Sequence, residues 1–286
     1  MAKIGVQAMM LKKKIEEDGA FATLKKVSEL GFNAVEISQI PMTPENVAEI
    51  NRARTELGME IASLSATLDS KPGGANDSLV TDFDKVVADC KTLGATIVRI
   101  GMLPFDAMAS LDAVLEFCRT ADETAVRLAE HGIGLYYHNH HIEFTKYDGR
   151  YLLDLIRENA PHLRFEIDVH WVQRGGLHPQ SVLKEYAGLV DLVHLKDYRI
   201  GKMPPAAFEA LGKGDYPAFM AAFTGVVQFG EVGEGNLDWK GVIDQAIESG
   251  AKYLLIEQDD QYGRDPFDCL ATSHENLVAL GYSHLF

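Results

Sequence analysis

Eight short apolar runs, each followed by a longer amphipathic stretch, set the strongest constraint on what this chain can fold into. The runs are KIGVQAM (3–9), AVEIS (34–38), EIASLSA (60–66), TIVRIG (96–101), IGLYYHN (133–139), LRFEID (163–168), LVHLKD (192–197) and KYLLIEQ (252–258). Their length and β-rich composition predict strands. Between them apolar residues recur at the helical period, as in FATLKKVSEL (21–30), where Phe21, Leu24, Val27 and Leu30 share a face. Similar patterns fill 44–57, 81–93, 111–131, 149–158, 179–187, 239–249 and 267–280. Gly31, Gly58, Gly94, Gly132 and Gly250 follow these segments closely, as a left-handed C-terminal cap requires. Thr43 before Pro44 reads as an N-cap followed by a proline in the first turn.

Eight strand–helix units in 286 residues predict an α/β protein, a (β/α)8 TIM barrel forming a single domain over 1–286. An open doubly wound sheet fits less well, because no GxGxxG follows the first strand. The segment 198–230 is too long for a plain connection after strand seven. It reads as an insertion over the barrel mouth, a lid or a surface for assembly into a homodimer or homotetramer.

The charge balance is 27 − 42 = −15, which opposes general binding to nucleic acid or to an anionic membrane. No run approaches the ~18 apolar residues of a membrane span, and the start lacks the apolar core of a signal peptide. Cys90, Cys118 and Cys269 are odd in number and far apart, consistent with reduced thiols and a cytoplasmic location.

A barrel places its chemistry at the C-terminal ends of its strands. Titratable residues gather there: Glu36 on strand two, Arg99 on strand four, and His138, His140 and Glu143 at strand five. Asp168 and His170 follow on strand six, His194 and Lys196 on strand seven, and Glu257 on strand eight. Buried without partners, such groups cost several kcal/mol each, so convergence around a divalent cation is the economical reading. A set rich in oxygen with imidazole suits Mn²⁺ or Mg²⁺ and accepts Co²⁺ or Zn²⁺. Glu36 and Arg99 can equally pair with each other, and Lys196 with Asp168 or Glu257. Tyr136 and Trp171 can stack on a sugar or serve as core aromatics.

The motifs HNHxxEF (138–144), EIDVHW (166–171), HLKD (194–197), GEVGEGNLDW (230–239) and YLLIEQD (253–259) resemble the xylose-isomerase-like TIM-barrel superfamily. That group holds sugar and sugar-phosphate isomerases and epimerases, inosose dehydratases and endonuclease IV. The resemblance implies one divalent metal ion bound by a Glu of strand five, Asp168, His194 and Glu257. In many relatives the strand-five Glu aligns with His138 here. Glu143 is then the expected ligand, reaching back and leaving His138 to move protons, with the reverse assignment as the alternative. Epimerase relatives also carry a His where Trp171 stands.

The implied chemistry is proton abstraction beside a sugar carbonyl to give an enediolate, then reprotonation as an isomerase or epimerase. Expulsion of a β-leaving group from an inosose or 3-keto sugar is the lyase alternative. A DNA-repair role requires a basic face that a charge of −15 does not supply. The catalytic set is thus His138, Glu143, Glu257 and Lys196, with Glu36, Arg99, His140, His170 and Trp171 toward the substrate.

Overall fold

A computed structural model describes residues 2–68 and 76–286. Eight parallel strands close into a barrel: β1 (Lys3–Gln7), β2 (Ala34–Ile37), β3 (Glu60–Ala66), β4 (Ile97–Ile100), β5 (Gly134–His138), β6 (Arg164–Asp168), β7 (Val190–Leu195) and β8 (Tyr253–Ile256). They follow one another around the barrel in chain order, and β1 closes it by pairing with both β2 and β8. Each strand is followed by an outer helix: α1 (Ala20–Glu29), α2 (Pro44–Leu57), α3 (Phe83–Leu93), α4 (Leu111–Ala129), α5 (Leu152–Asn159), α6 (Pro179–Glu185), α7 (Trp239–Glu248) and α8 (Pro266–Ala279).

Local chemistry sets the helix ends. The Thr43 hydroxyl accepts from Asn46 N–H, Pro44 opens α2, and Gly58 closes it at φ 70°. In α4 the buried residues Val114, Phe117, Cys118, Ala121, Ala125 and Leu128 recur at three- and four-residue spacing and face the strands. Most of the apolar core lies in this layer between barrel and helices. Cys90, Cys118 and Cys269 are buried there as free thiols. No described helix is long and apolar enough to cross a membrane.

The barrel interior is different. Its lower layer is a small apolar cluster of Ala62, Ile97, Tyr136, Leu192 and Leu255. The Tyr136 hydroxyl donates to Asp191, which also takes Arg164 and Lys252, so Tyr136 is a floor residue remote from any sugar. Above that floor nearly every inward side chain is charged or polar.

The segment after β7 is an antiparallel ribbon of Asp197–Ile200 with Val227–Gly230, carrying helices Pro205–Gly212 and Tyr216–Thr224 between its strands. A second small ribbon, Lys146–Tyr147 with Arg150–Tyr151, delays α5 to residue 152 where the apolar pattern pointed to 149.

Candidate metal and sugar site

Alternation along each strand turns every second side chain inward. On β6 these are Glu166 and Asp168; on β7, His194 with Lys196 just beyond its end; after β8, Glu257 and Asp259. The register sets Asp168 and Leu255 on either side of His194, so three strands deliver their groups at one height.

Four fully buried residues, His138, Asp168, His194 and Glu257, each bring one donor atom to within 4.8 Å of the others. The protein engages one atom of each and turns the other toward a common centre. His138 Nδ1–H donates to the Gly101 carbonyl at 3.1 Å. Asp168 Oδ1 accepts from Trp171 N–H at 3.1 Å, and Glu257 Oε1 accepts from Gln7 Nε2 at 2.8 Å. His194 Nε2 lies 3.0 Å from Glu166 and 3.2 Å from Glu36. The remaining atoms, His138 Nε2, Asp168 Oδ2, His194 Nδ1 and Glu257 Oε2, are buried with no hydrogen bond of proper geometry among the described residues. They face one another at 3.4 Å (His138–Asp168), 3.7 Å (His194–Asp168) and 2.8 Å (His194–Glu257). Orphaned buried donors are costly, and a divalent cation satisfies this set. The Lys196 ammonium reaches the same place, 2.7 Å from Glu257, 3.0 Å from Asp168 and 3.0 Å from Asp259.

Glu143 stands outside this cluster. It sits in a 3₁₀ turn, Ile142–Phe144, where Oε1 accepts from the Tyr137 hydroxyl at 2.6 Å and Oε2 from His140 N–H at 2.8 Å. Tyr137 faces outward and packs on Phe117 of α4, so binding it carries Glu143 away from the cluster. His138 holds the strand-five place in the cluster instead.

A cavity of about 670 Å³ opens over the cluster and is lined in part by Arg99, His138, His140, Lys196, Glu257 and Asp259. Three residues expected to face the substrate do not line it. Glu36 lies deeper, paired with Arg99 at 2.8 Å. His170 donates to the Asp197 carbonyl at 2.9 Å and packs on Phe229 beneath the ribbon. Trp171 stands behind His140 and Lys196.

Burial and neighbours divide the protonation states. Burial lowers His138 to about 4 and His140 to about 2, so both rings are neutral near pH 7. Burial alone would raise Asp168 and Glu257, but Lys196 and His194 hold both carboxylates well below their ordinary range. Burial opposes charge on His194 and Lys196 too, yet the surrounding carboxylates raise both. Burial and the neighbouring Glu36 push Glu166 up to about 8, and burial with Glu257 pushes Asp259 up to about 6. Glu166 and Asp259 were not singled out from the sequence. Both stand two residues from a cluster member on the same strand face, a spacing that alternation makes readable.

The GEVGEGNLDW segment wraps one carboxylate. Asp197 accepts from the backbone N–H groups of Tyr198 (2.7 Å), Gly233 (2.9 Å) and Gly235 (2.9 Å), and from Trp239 Nε1 (2.7 Å). A Cβ at Gly235 would collide with that carboxylate, which explains the glycine.

Known structures share this architecture. A sugar phosphate isomerase/epimerase from Parabacteroides distasonis is similar with a TM-score of 0.72 at 18% identity, covering 99% of this chain and 96% of its own. A probable 3-DHS dehydratase from Bacillus anthracis has a TM-score of 0.67 at 12% identity, covering 97% and 99%. The 3-keto-D-glucoside 4-epimerase of E. coli has a TM-score of 0.63 at 16% identity, covering 98% and 99%. No curated protein sequence matches significantly. The family model described as xylose isomerase-like TIM barrel matches residues 24–276, nearly the whole barrel, and the chain therefore belongs to that family.

Proposed function

We propose that this protein is a divalent-metal-dependent sugar isomerase or epimerase. One observation carries the reading: His138, Asp168, His194 and Glu257 each have one atom tied down by the protein and turn the other, alongside the Lys196 ammonium, to a shared centre under a cavity open to solutes. These four residues would hold the ion, with His138 in the strand-five position. A bound divalent ion supplies polarisation of a sugar carbonyl and compensates negative charge as it develops.

The chain's own groups do the rest. Lys196 keeps its proton and sets a fixed positive charge beside the cavity, where an enediolate oxygen forms. Glu257, ionised and on the cavity wall, is placed to take the proton beside the carbonyl. His140 is neutral and also on the wall, with no hydrogen bond to Nδ1 among the described residues, and can orient a sugar hydroxyl. Glu143 drops out of this set because it belongs neither to the cluster nor to the cavity wall.

One observation favours β-elimination from an inosose or 3-keto sugar as a second reading. Asp259 lines the cavity with a carboxyl pushed up to about 6, so it can hold a proton for a departing hydroxyl. The insertion supports homo-oligomerisation. Its helix Tyr216–Thr224 buries none of its residues within the chain and carries no charged side chain. Light scattering of Phe223→Glu against wild type tests that surface, and an unchanged mass would refute it.

Metal analysis comes first, followed by proton NMR in D₂O with ketoses, inososes and 3-keto glycosides. Solvent deuterium in an intact sugar is the expected result, whereas loss of water or aglycone selects the second reading. Full turnover by an Asp168→Ala variant in EDTA would end both.

A further inference from the structure

The four-residue cluster accounts for one nitrogen of His194. The other, Nε2, points down into the barrel, 3.0 Å from Glu166 Oε1 and 3.2 Å from Glu36 Oε1. Glu36, Glu166 and His194 are fully buried and together have the composition of a second metal site. Arg99 rules that use out. Its Nε lies 2.8 Å from Glu36 and 3.2 Å from Glu166, and its terminal nitrogen donates to Ser38 at 2.9 Å. A guanidinium locked by three partners already supplies the cation there, and a dication beside it would meet strong repulsion. Glu36 is held further by the Ser63 hydroxyl at 2.7 Å. Glu36 is thus a rigid acceptor, with the His194 Nε2–H above it.

We propose that Glu36, clamped by Arg99 and Ser63, is a positioning residue for His194: it accepts the Nε2–H, fixes the ring and aims the Nδ1 lone pair at the bound metal. The proposal rests on the metal-dependent reading above. An imidazole ligand needs its second nitrogen engaged to select the tautomer, and an anionic acceptor also strengthens the ligand. His138 meets the first need with a neutral backbone carbonyl, that of Gly101. His194 meets both, so the two imidazoles of one site are graded in strength. Glu36 belongs neither to the cavity wall nor to the four-residue cluster and acts on the metal through His194.

The test is Co²⁺ titration of the whole protein, read by affinity and by the visible d–d spectrum, for wild type, Glu36→Gln and Glu36→Leu. Removing a partner of this kind weakens metal binding by about 10–100-fold. Glu36→Leu should fall in that range with altered d–d bands, and Glu36→Gln, which keeps an acceptor oxygen without the charge, should lie between it and wild type. Wild-type affinity with a wild-type spectrum in both variants overturns the proposal. Should Glu36→Leu fail to fold, Glu36→Gln decides alone: an intermediate loss supports the proposal and no change overturns it. Tight Co²⁺ binding by wild type that Asp168→Ala abolishes upholds the metal site whatever the Glu36 variants do. A wild type that takes up no Co²⁺ overturns the metal reading and this proposal together.

Discussion

Replacing Arg99 with methionine removes the only cation in contact with Glu36 besides His194 among the described residues, and leaves a carboxylate at zero exposure. At 2.8 Å the attraction between two unit charges is about 4–6 kcal/mol at an effective dielectric near 20. Glu166 adds little to this at pH 7, because its carboxyl, pushed up to about 8, mostly holds its proton. Desolvation of the guanidinium offsets part of the attraction, and His194 at 3.2 Å keeps some compensation for Glu36. Breaking one buried pair by removing a partner costs about 3–5 kcal/mol, and the retained imidazole puts Arg99→Met near the low end, about 3 kcal/mol or roughly 10 °C in Tm. The double variant Arg99→Met/Glu36→Gln no longer buries an orphan charge and should regain about 2 kcal/mol. Equilibrium urea unfolding at pH 7, followed by far-UV circular dichroism, measures all three proteins. Arg99→Met within about 1 kcal/mol of wild type, or a double variant no more stable than the single one, would refute the buried-charge reasoning.

Lys196→Met should destabilise the metal-free protein by about 3 kcal/mol, since Asp168, Glu257 and Asp259 lose their shared ammonium. Mn²⁺ should then raise its Tm more than it raises that of wild type, and equal gains in differential scanning fluorimetry would count against the assignment. Asp197→Ala strands the donors of Tyr198, Gly233, Gly235 and Trp239, at about 3 kcal/mol, and hydrogen exchange should rise across 231–239 before the barrel strands respond. Asp191, against Arg164 and Lys252, has its pKa held below the ordinary carboxylate value. Its contribution is therefore full above about pH 4 and disappears as the pH falls through the lowered folded value. The stability gap between wild type and Asp191→Asn should narrow with acid over that window, and a gap constant to pH 2 would contradict the pairing.

The barrel was legible because its strands and helices differ in period, and because glycines such as Gly58 and Gly94 stand at left-handed helix ends. The content of 198–230 was not, since PAAFEALG and YPAFMAAFT are apolar almost all round and offer no amphipathic face. In the site, strand ends offered Asp168, His194 and Glu257 among other titratable residues, and the family resemblance singled them out. Glu143 was expected beside them because the family's ligand chemistry favours a carboxylate, and the turn at 142–144 folds that carboxylate onto Tyr137. Pairing of Glu143 with Tyr137 depends on a hydroxyl on the outer face of β5, which alternation identifies only once the turn is known. Glu166 and Asp259 lay within reach of the same alternation argument and needed only to be counted as inward residues.

Asp197 also has a consequence for how this scaffold can change. It pairs with Gly230 at the foot of the ribbon, and its carboxylate gathers the backbone that follows. Everything from 198 to 229 is thereby closed off at its base, independent of what happens at its tip. Lengthening, trimming or exchanging that excursion adds only a fraction of a kcal/mol to about 1 kcal/mol in closure entropy and leaves Lys196 and His194 in place. Evolution can thus rewrite this excursion as a plug-in part while the charged barrel interior stays untouched.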